Sequence, residues 1–136
     1  MTVAYILGAG GHAHVVASLL SANQIHWSGL FDDSYVEHRE EIICGRKLLG
    51  GFEQASNLKP TSSFLYLAVG NNEKRKALHI RFKRLGFAFP SAAHPSAQCE
   101  ADVQIGEATQ LCLGSILAAE VKIGSGCIIN TGVSID

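Results

Sequence analysis

Up to about residue 94, apolar positions fall into short runs, each closed by turn residues. Val3 to Leu7 is apolar and ends at Gly8-Ala9-Gly10-Gly11, after which His12 to Ala22 places Val15, Val16, Leu19 and Leu20 at helical spacing. This predicts a strand, a glycine turn and a helix. Trp27 to Phe31 reads as a second strand closing on Asp32-Asp33, so a βαβ unit with parallel strands is complete within about 30 residues. Residues 34–45 are charged and poorly patterned, Arg46 to Leu49 predicts a short strand, and Gly51 to Ser56 a short helix. Phe64 to Val69 is a further strand, ending at Gly70-Asn71-Asn72. Glu73 to Leu85 then sets Ala77, Leu78, Phe82 and Leu85 on one helical face. Asn72 is the predicted N-cap, Gly86 the left-handed position beyond the helix, and Phe87 to Phe89 a last short strand.

After His94-Pro95 the pattern changes. An aliphatic residue recurs every six positions, at Ile105, Leu111, Leu117, Ile123, Ile129 and Ile135. Two positions before each stands Val103, Thr109, Ser115, Val121, Cys127 or Val133, all small or β-branched. A period of six fits neither a helix nor a hairpin. It fits a hexapeptide parallel β-helix, with small residues at the corners and aliphatic side chains in a narrow core. The predicted architecture is therefore α/β. Residues 1–94 form a parallel-sheet, Rossmann-like domain, and residues 95–136 the first coils of a left-handed parallel β-helix. Six hexads make about two triangular turns, and a solenoid ordinarily needs three or more repeats and a cap. The expectation is a chain truncated from a longer protein, the alternative being two turns that serve as an adaptor.

Composition narrows the function classes. With 136 residues, 47% of them apolar and 17% charged, the chain is expected to fold around its own core. Eleven Lys and Arg against twelve Asp and Glu leave no basic field for nucleic acid. Cys44, Cys99, Cys112 and Cys127 form no Cys-x-x-Cys pair, which predicts reduced, mostly buried thiols in a cytoplasmic protein with no structural metal. The apolar N-terminal run is broken by glycines and histidines before it could span a bilayer, so no membrane segment is expected.

The chemistry-bearing residues gather at strand ends. Gly8, Gly10 and Ala13 fit G-x-G-x-x-[G/A] between a strand and a helix, where the backbone can approach a phosphate and the helix N-terminus offers free N–H groups. Asp32 falls where a ribose-binding acid sits in such folds, and Asp33 doubles the acceptors; a solvated acidic loop is the bland reading. His12, in the first helical turn, is placed to donate to a ligand oxygen or simply to cap the surface. Gly70, Asn71, Asn72 and Arg75 offer a second set of groups for a diphosphate or sugar. Lys74, Lys76, Arg81, Lys83 and Arg84 read as the solvated face of that helix.

Three segments in order, LGAGGHAHVV, AVGNNEKRKAL and HPSA followed by hexapeptides ending in IINTGVSID, resemble the NeuD/PglD-type acetyltransferases of bacterial surface-sugar biosynthesis along the whole chain. The resemblance implies acetyl transfer from acetyl-CoA to an amino or hydroxyl group of a sugar, either a UDP-4-amino-sugar or sialic acid. It also implies a homotrimer when full length, with acetyl-CoA bound between subunits. By the same resemblance Gly8, Gly10, Gly11 and His12 match the nucleotide-sugar loop, Asp32 and Asp33 the uridine-side acids, and Gly70, Asn71 and Asn72 the second loop. Asp136 matches a catalytic acid beside the histidine base, whose position falls just after it. The 136 residues are thus expected to bind nucleotide sugar without appreciable transfer. The competing readings are a stand-alone NAD-binding or UDP-sugar-binding module, and an adaptor with a short oligomerising coil.

Overall fold

The computed structural model describes residues Met1–Asp136. Strands β1 (Val3–Leu7), β2 (Trp27–Phe31), β3 (Ile42–Ile43), β4 (Arg46–Gly50) and β5 (Ser63–Leu67) form one sheet in the order β3-β4-β2-β1-β5. All pairings are parallel except β3 with β4. The chain steps outward from β1 through β2 to β4, then returns to lay β5 on the other side of β1. The strand order thus reverses between β1 and β5, which opens a crevice at their C-terminal ends.

Successive residues of β1 serve opposite faces, as the pleat requires. Ile6 packs with Val16 and Leu20 of helix α1 (Gly11–Ala22), and Leu7 with Leu78 and Phe82 of helix α3 (Asn72–Arg84), so the sheet is buried on both sides. A single turn of helix, α2 (Phe52–Ala55), follows β4. No helix is long and apolar enough to cross a membrane.

Three expectations change in detail. The N-cap of α3 is Asn71, whose side chain accepts from the Lys74 amide at 2.9 Å, and not Asn72, which is the first helical residue. Phe87 to Phe89 makes only a single bridge, Ala88 with Phe64, because Pro90 offers no N–H to continue a ladder; Phe87 and Phe89 instead bury their rings beneath α3. Within the unpatterned 34–45 stretch, Ile42–Ile43 pairs back on Arg46–Lys47 over a tight turn whose residues, Cys44 and Gly45, both have positive φ.

From Ala92 on, the chain is a parallel β-helix. Its strands β6 (Ala92–Ala93), β9 (Gln110–Leu111) and β12 (Ile128–Ile129) stack on one face, and β7 (Gln98–Cys99), β10 (Ile116–Leu117) and β13 (Ser134–Ile135) on a second. The third face holds β8 (Gln104–Ile105) and β11 (Lys122–Ile123). After the first turn at Pro95-Ser96, each corner carries a left-handed residue six positions after the last: Asp102, Ala108, Gly114, Glu120, Gly126 and Gly132. Leu111, Leu117 and Ile129 fill the core. Ile105 departs from its expected inward role and is 36% exposed, because β8 has no strand stacked beneath it. Of the cysteines only Cys112 is buried; Cys99 is exposed and Cys44 and Cys127 half-buried, fewer hidden thiols than the composition suggested.

The first coil also completes the sheet domain. Ala92 joins the α1-side core and Ala108 the α3-side core, so both apolar layers close against the β-helix.

Candidate functional site

The loops after β1 and β5 lie side by side. The Ala68 amide donates to Leu7 O at 2.7 Å, and Gly8 sits so close that a Cβ there would stand 2.4 Å from Ala68 O, at φ +116 where side chains are strained. Gly8 therefore sets the approach of the two loops and does not line the cavity between them. Gly10 is the N-cap of α1 and supplies no side-chain cap, so the first amides of the helix stay free to meet an anion.

A cavity of about 730 Å³ opens over these loops. Of the residues the sequence singles out, Gly10, Gly11, His12, Asp32, Asp33 and Gly70 line it. Asp32 also holds the glycine turn: Oδ1 accepts from the Ala9 amide at 3.1 Å and Oδ2 from the Ser34 amide at 2.8 Å. Asp33 is exposed and makes no hydrogen bond within the chain. Phe52, Lys74, Ala77, Leu78 and Arg81 complete its lining, and Arg81 also pairs with Glu53 at 3.1 Å. The expected solvated face of α3 thus includes two cations that face the cavity. Their i, i+3, i+4, i+7 spacing with Ala77 and Leu78 is visible in the sequence, but solvated helices show the same pattern. The cavity accordingly brings together acids, bases and the unpaired first amides of α1, which suits a phosphorylated ligand carrying hydroxyl groups.

Asn71 caps α3 and lines neither this cavity nor the next. Asn72 and Arg75 lie at a second cavity of about 510 Å³, bounded on its far side by Cys127, Ile128, Ile129 and Asn130 of the β-helix. Arg75 is buried. Its Nε donates to Gly126 O (2.9 Å), Nη1 to Val69 O (3.0 Å) and Gly70 O (3.1 Å), and Nη2 to Asn72 Oδ1 (2.7 Å). Burial lowers its basicity, countered by Cys127 nearby, and the four acceptors keep the guanidinium charged. Its donors are spent on the joint between sheet and coil, so it shapes the second loop from within and presents no free fork to a diphosphate.

His12 lines both cavities. Its Nε2 lies 2.8 Å from Oε1 of Gln110, a residue 2% exposed on β9 that the sequence reading did not single out. Gln110 Nε2 donates to Leu67 O at 2.6 Å, at the very end of β5. Asp136 lies after β13 and lines neither cavity.

The profile of the PglD N-terminal domain matches residues 4–82. A histidine-to-asparagine mutant of perosamine N-acetyltransferase from Caulobacter crescentus, solved with CoA and GDP-perosamine, superimposes with a TM-score of 0.92 at 30% identity, covering 100% of this chain and 63% of that one. The acetyltransferase domain of PglB from Neisseria gonorrhoeae superimposes with a TM-score of 0.90 at 28% identity, over 100% of this chain and 65% of that one. WeeI from Acinetobacter baumannii shares the fold at 18% identity, with a TM-score of 0.85 over 99% of this chain and 64% of that one. This chain therefore spans less than two thirds of the length of these structures. A search of the curated proteins gives no match.

Proposed function

Because the chain belongs to the PglD N-terminal domain family, we propose that its larger cavity binds a nucleotide-linked amino sugar and directs the sugar toward the β-helix for acetylation. The observation that carries this reading is the meeting of two cavities at His12. One has the amides and charges to hold a nucleotide diphosphate; the other, beside it, is walled by the coil. A nucleotide in the first would bring its sugar to the second without crossing the protein. The free amides of Gly11 and His12 and the cations Lys74 and Arg81 are suited to the diphosphate. Asp33 and the remaining lone pairs of Asp32 are suited to donors on the ribose and base.

Acetyl-CoA is the proposed acetyl donor, as the CoA bound in the perosamine N-acetyltransferase structures supports. Acetyl transfer replaces the thioester C–S bond by an amide or ester bond and requires loss of a proton from the acceptor, a task for a base titrating near neutrality. The resemblance places that histidine after Asp136. For residues 1–136 the proposal is therefore binding and orientation of the acceptor, with negligible transfer, and a homotrimer that holds acetyl-CoA remains part of the proposal for the whole protein. A nucleotide-linked acceptor fits better than free sialic acid, which would leave the glycine loop and its cations without a phosphate.

Isothermal titration of the protein with UDP- and GDP-linked amino sugars, free sialic acid and NADH tests this. The expected result is that one nucleotide amino sugar binds at least tenfold more tightly than NADH or sialic acid. Equal or tighter binding of NADH would overturn it.

A further inference from the structure

The contact between His12 and Gln110 fixes more than a position. A carbonyl oxygen can only accept, so the Gln110 amide nitrogen must face Leu67 O and its oxygen must face His12. That oxygen in turn accepts only, so the hydrogen of the neutral imidazole resides on Nε2. The Nδ1 lone pair is left without a partner in the chain, on a ring that lines both cavities. From sequence this ring is placed either to donate to a ligand oxygen or to cap the surface. The structure spends that donor on Gln110 and leaves an acceptor.

We propose that Gln110 is a positioning residue: it holds His12 as the Nε2–H tautomer, so that Nδ1 accepts a hydrogen bond from an N–H or O–H group of the sugar where the two cavities meet. The proposal rests on the nucleotide-sugar reading above. It adds a specificity: a sugar carrying a donor at that point is preferred over its deoxy analogue, because an unpaired lone pair in a shielded site disfavours the analogue. Gln110 reaches His12 and Leu67 from β9, at the start of the second coil, so it also makes this preference depend on the coil being docked against the sheet.

Gln110→Met and Gln110→Glu provide the test. The other ionisable groups around the ring are Asp32, Asp33, Lys74 and Arg81 in one cavity and Arg75 and Cys127 in the other, and all are unchanged in the variants. In the parent protein, long-range proton–nitrogen NMR correlations of the His12 ring are expected to show the Nε2–H tautomer alone. Gln110→Met is expected to give a mixture of tautomers, and Gln110→Glu to raise the His12 titration midpoint by about one pH unit as a carboxylate faces the ring. Calorimetry is expected to show nucleotide amino sugar bound about tenfold more weakly by Gln110→Met, with the free nucleoside diphosphate bound as before. If Gln110→Met fails to fold, the Gln110→Glu titration and the parent spectrum decide alone. An unchanged tautomer ratio in Gln110→Met, an unchanged titration in Gln110→Glu, or equal weakening of sugar-linked and sugar-free nucleotides would overturn the proposal. Failure of the parent protein to bind any nucleotide sinks the functional reading instead, and the spectra still decide whether Gln110 sets the tautomer.

Discussion

Arg75 and Gly126 are 51 positions apart in sequence and joined by one hydrogen bond, Nε to carbonyl oxygen at 2.9 Å, that crosses from α3 to a corner of the β-helix. The same guanidinium holds the loop after β5 through Val69 and Gly70. Arg75→Met keeps the aliphatic stem but orphans these carbonyls. The expected loss is about 2–3 kcal/mol of stability, measured by chemical denaturation. A loss below about 0.5 kcal/mol would show that the joint does not depend on this residue.

Gly8 and Gly10 separate packing from binding. At Gly8 a methyl group meets Ala68 O and the φ is left-handed, so Gly8→Ala is expected to cost about 3 kcal/mol or more. At Gly10 nothing lies within 4 Å of a Cβ. Gly10→Ala is expected to cost only about 0.5–1 kcal/mol, as an N-cap change, while crowding the amides enough to weaken nucleotide binding about tenfold. Paired thermal melts and titrations distinguish the two; equal stability losses would contradict the assignment.

The neighbouring acids divide in the same way. Asp32→Ala frees the Ala9 and Ser34 amides and is expected to destabilise by about 1–2 kcal/mol. Asp33→Ala is expected to leave stability within about 0.5 kcal/mol and to weaken nucleotide-sugar affinity about fivefold. An Asp33 variant with parent affinity would remove that carboxylate from the site.

Ser115 Oγ is buried in the coil with no hydrogen-bond partner. Ser115→Ala removes an unsatisfied hydroxyl and almost no volume. A gain of about 1 kcal/mol is expected, read as a rise in the denaturation midpoint; a loss would reveal a partner for the hydroxyl.

Thiol accessibility gives a pH-dependent check. Burial raises the Cys112 thiol above its ordinary 9.0, whereas Cys99 is exposed. Alkylation at neutral pH is expected to label Cys99 first and to spare Cys112 until the protein unfolds. The protonated Cys112 is favoured in the folded state, so its contribution to stability is complete below 9.0 and is lost as pH rises through the higher folded value. Early labelling of Cys112 by peptide mass mapping would contradict its placement.

Local chemistry was legible where a single residue type serves a single geometry. The turn Gly8-Ala9-Gly10-Gly11, the acids at the end of β2 and the six-residue period all follow from backbone freedom or side-chain volume over a few positions. The cap of α3 was a near miss because Asn71 and Asn72 are chemically identical, and only the backbone angle decides which one reaches the Lys74 amide. Lys74 and Arg81 could not be told from solvated lysines and arginines without the neighbouring loops. Gln110 carries no local signal at all. Its environment is made by His12 and Leu67, which lie 98 and 43 positions away and reach it only after both units have folded.

The coil corner at Ala108 has a consequence for dissection of this protein. Ala108 belongs to the same apolar cluster as Leu7 and Phe82, yet it lies well beyond residue 82, where the family profile ends. The segment that is recognisable by descent is thus shorter than the segment that is cooperative in unfolding. Excising it at its recognisable edge would expose one face of the sheet's own core, and swapping coils between relatives would exchange part of the sheet domain's interior along with them.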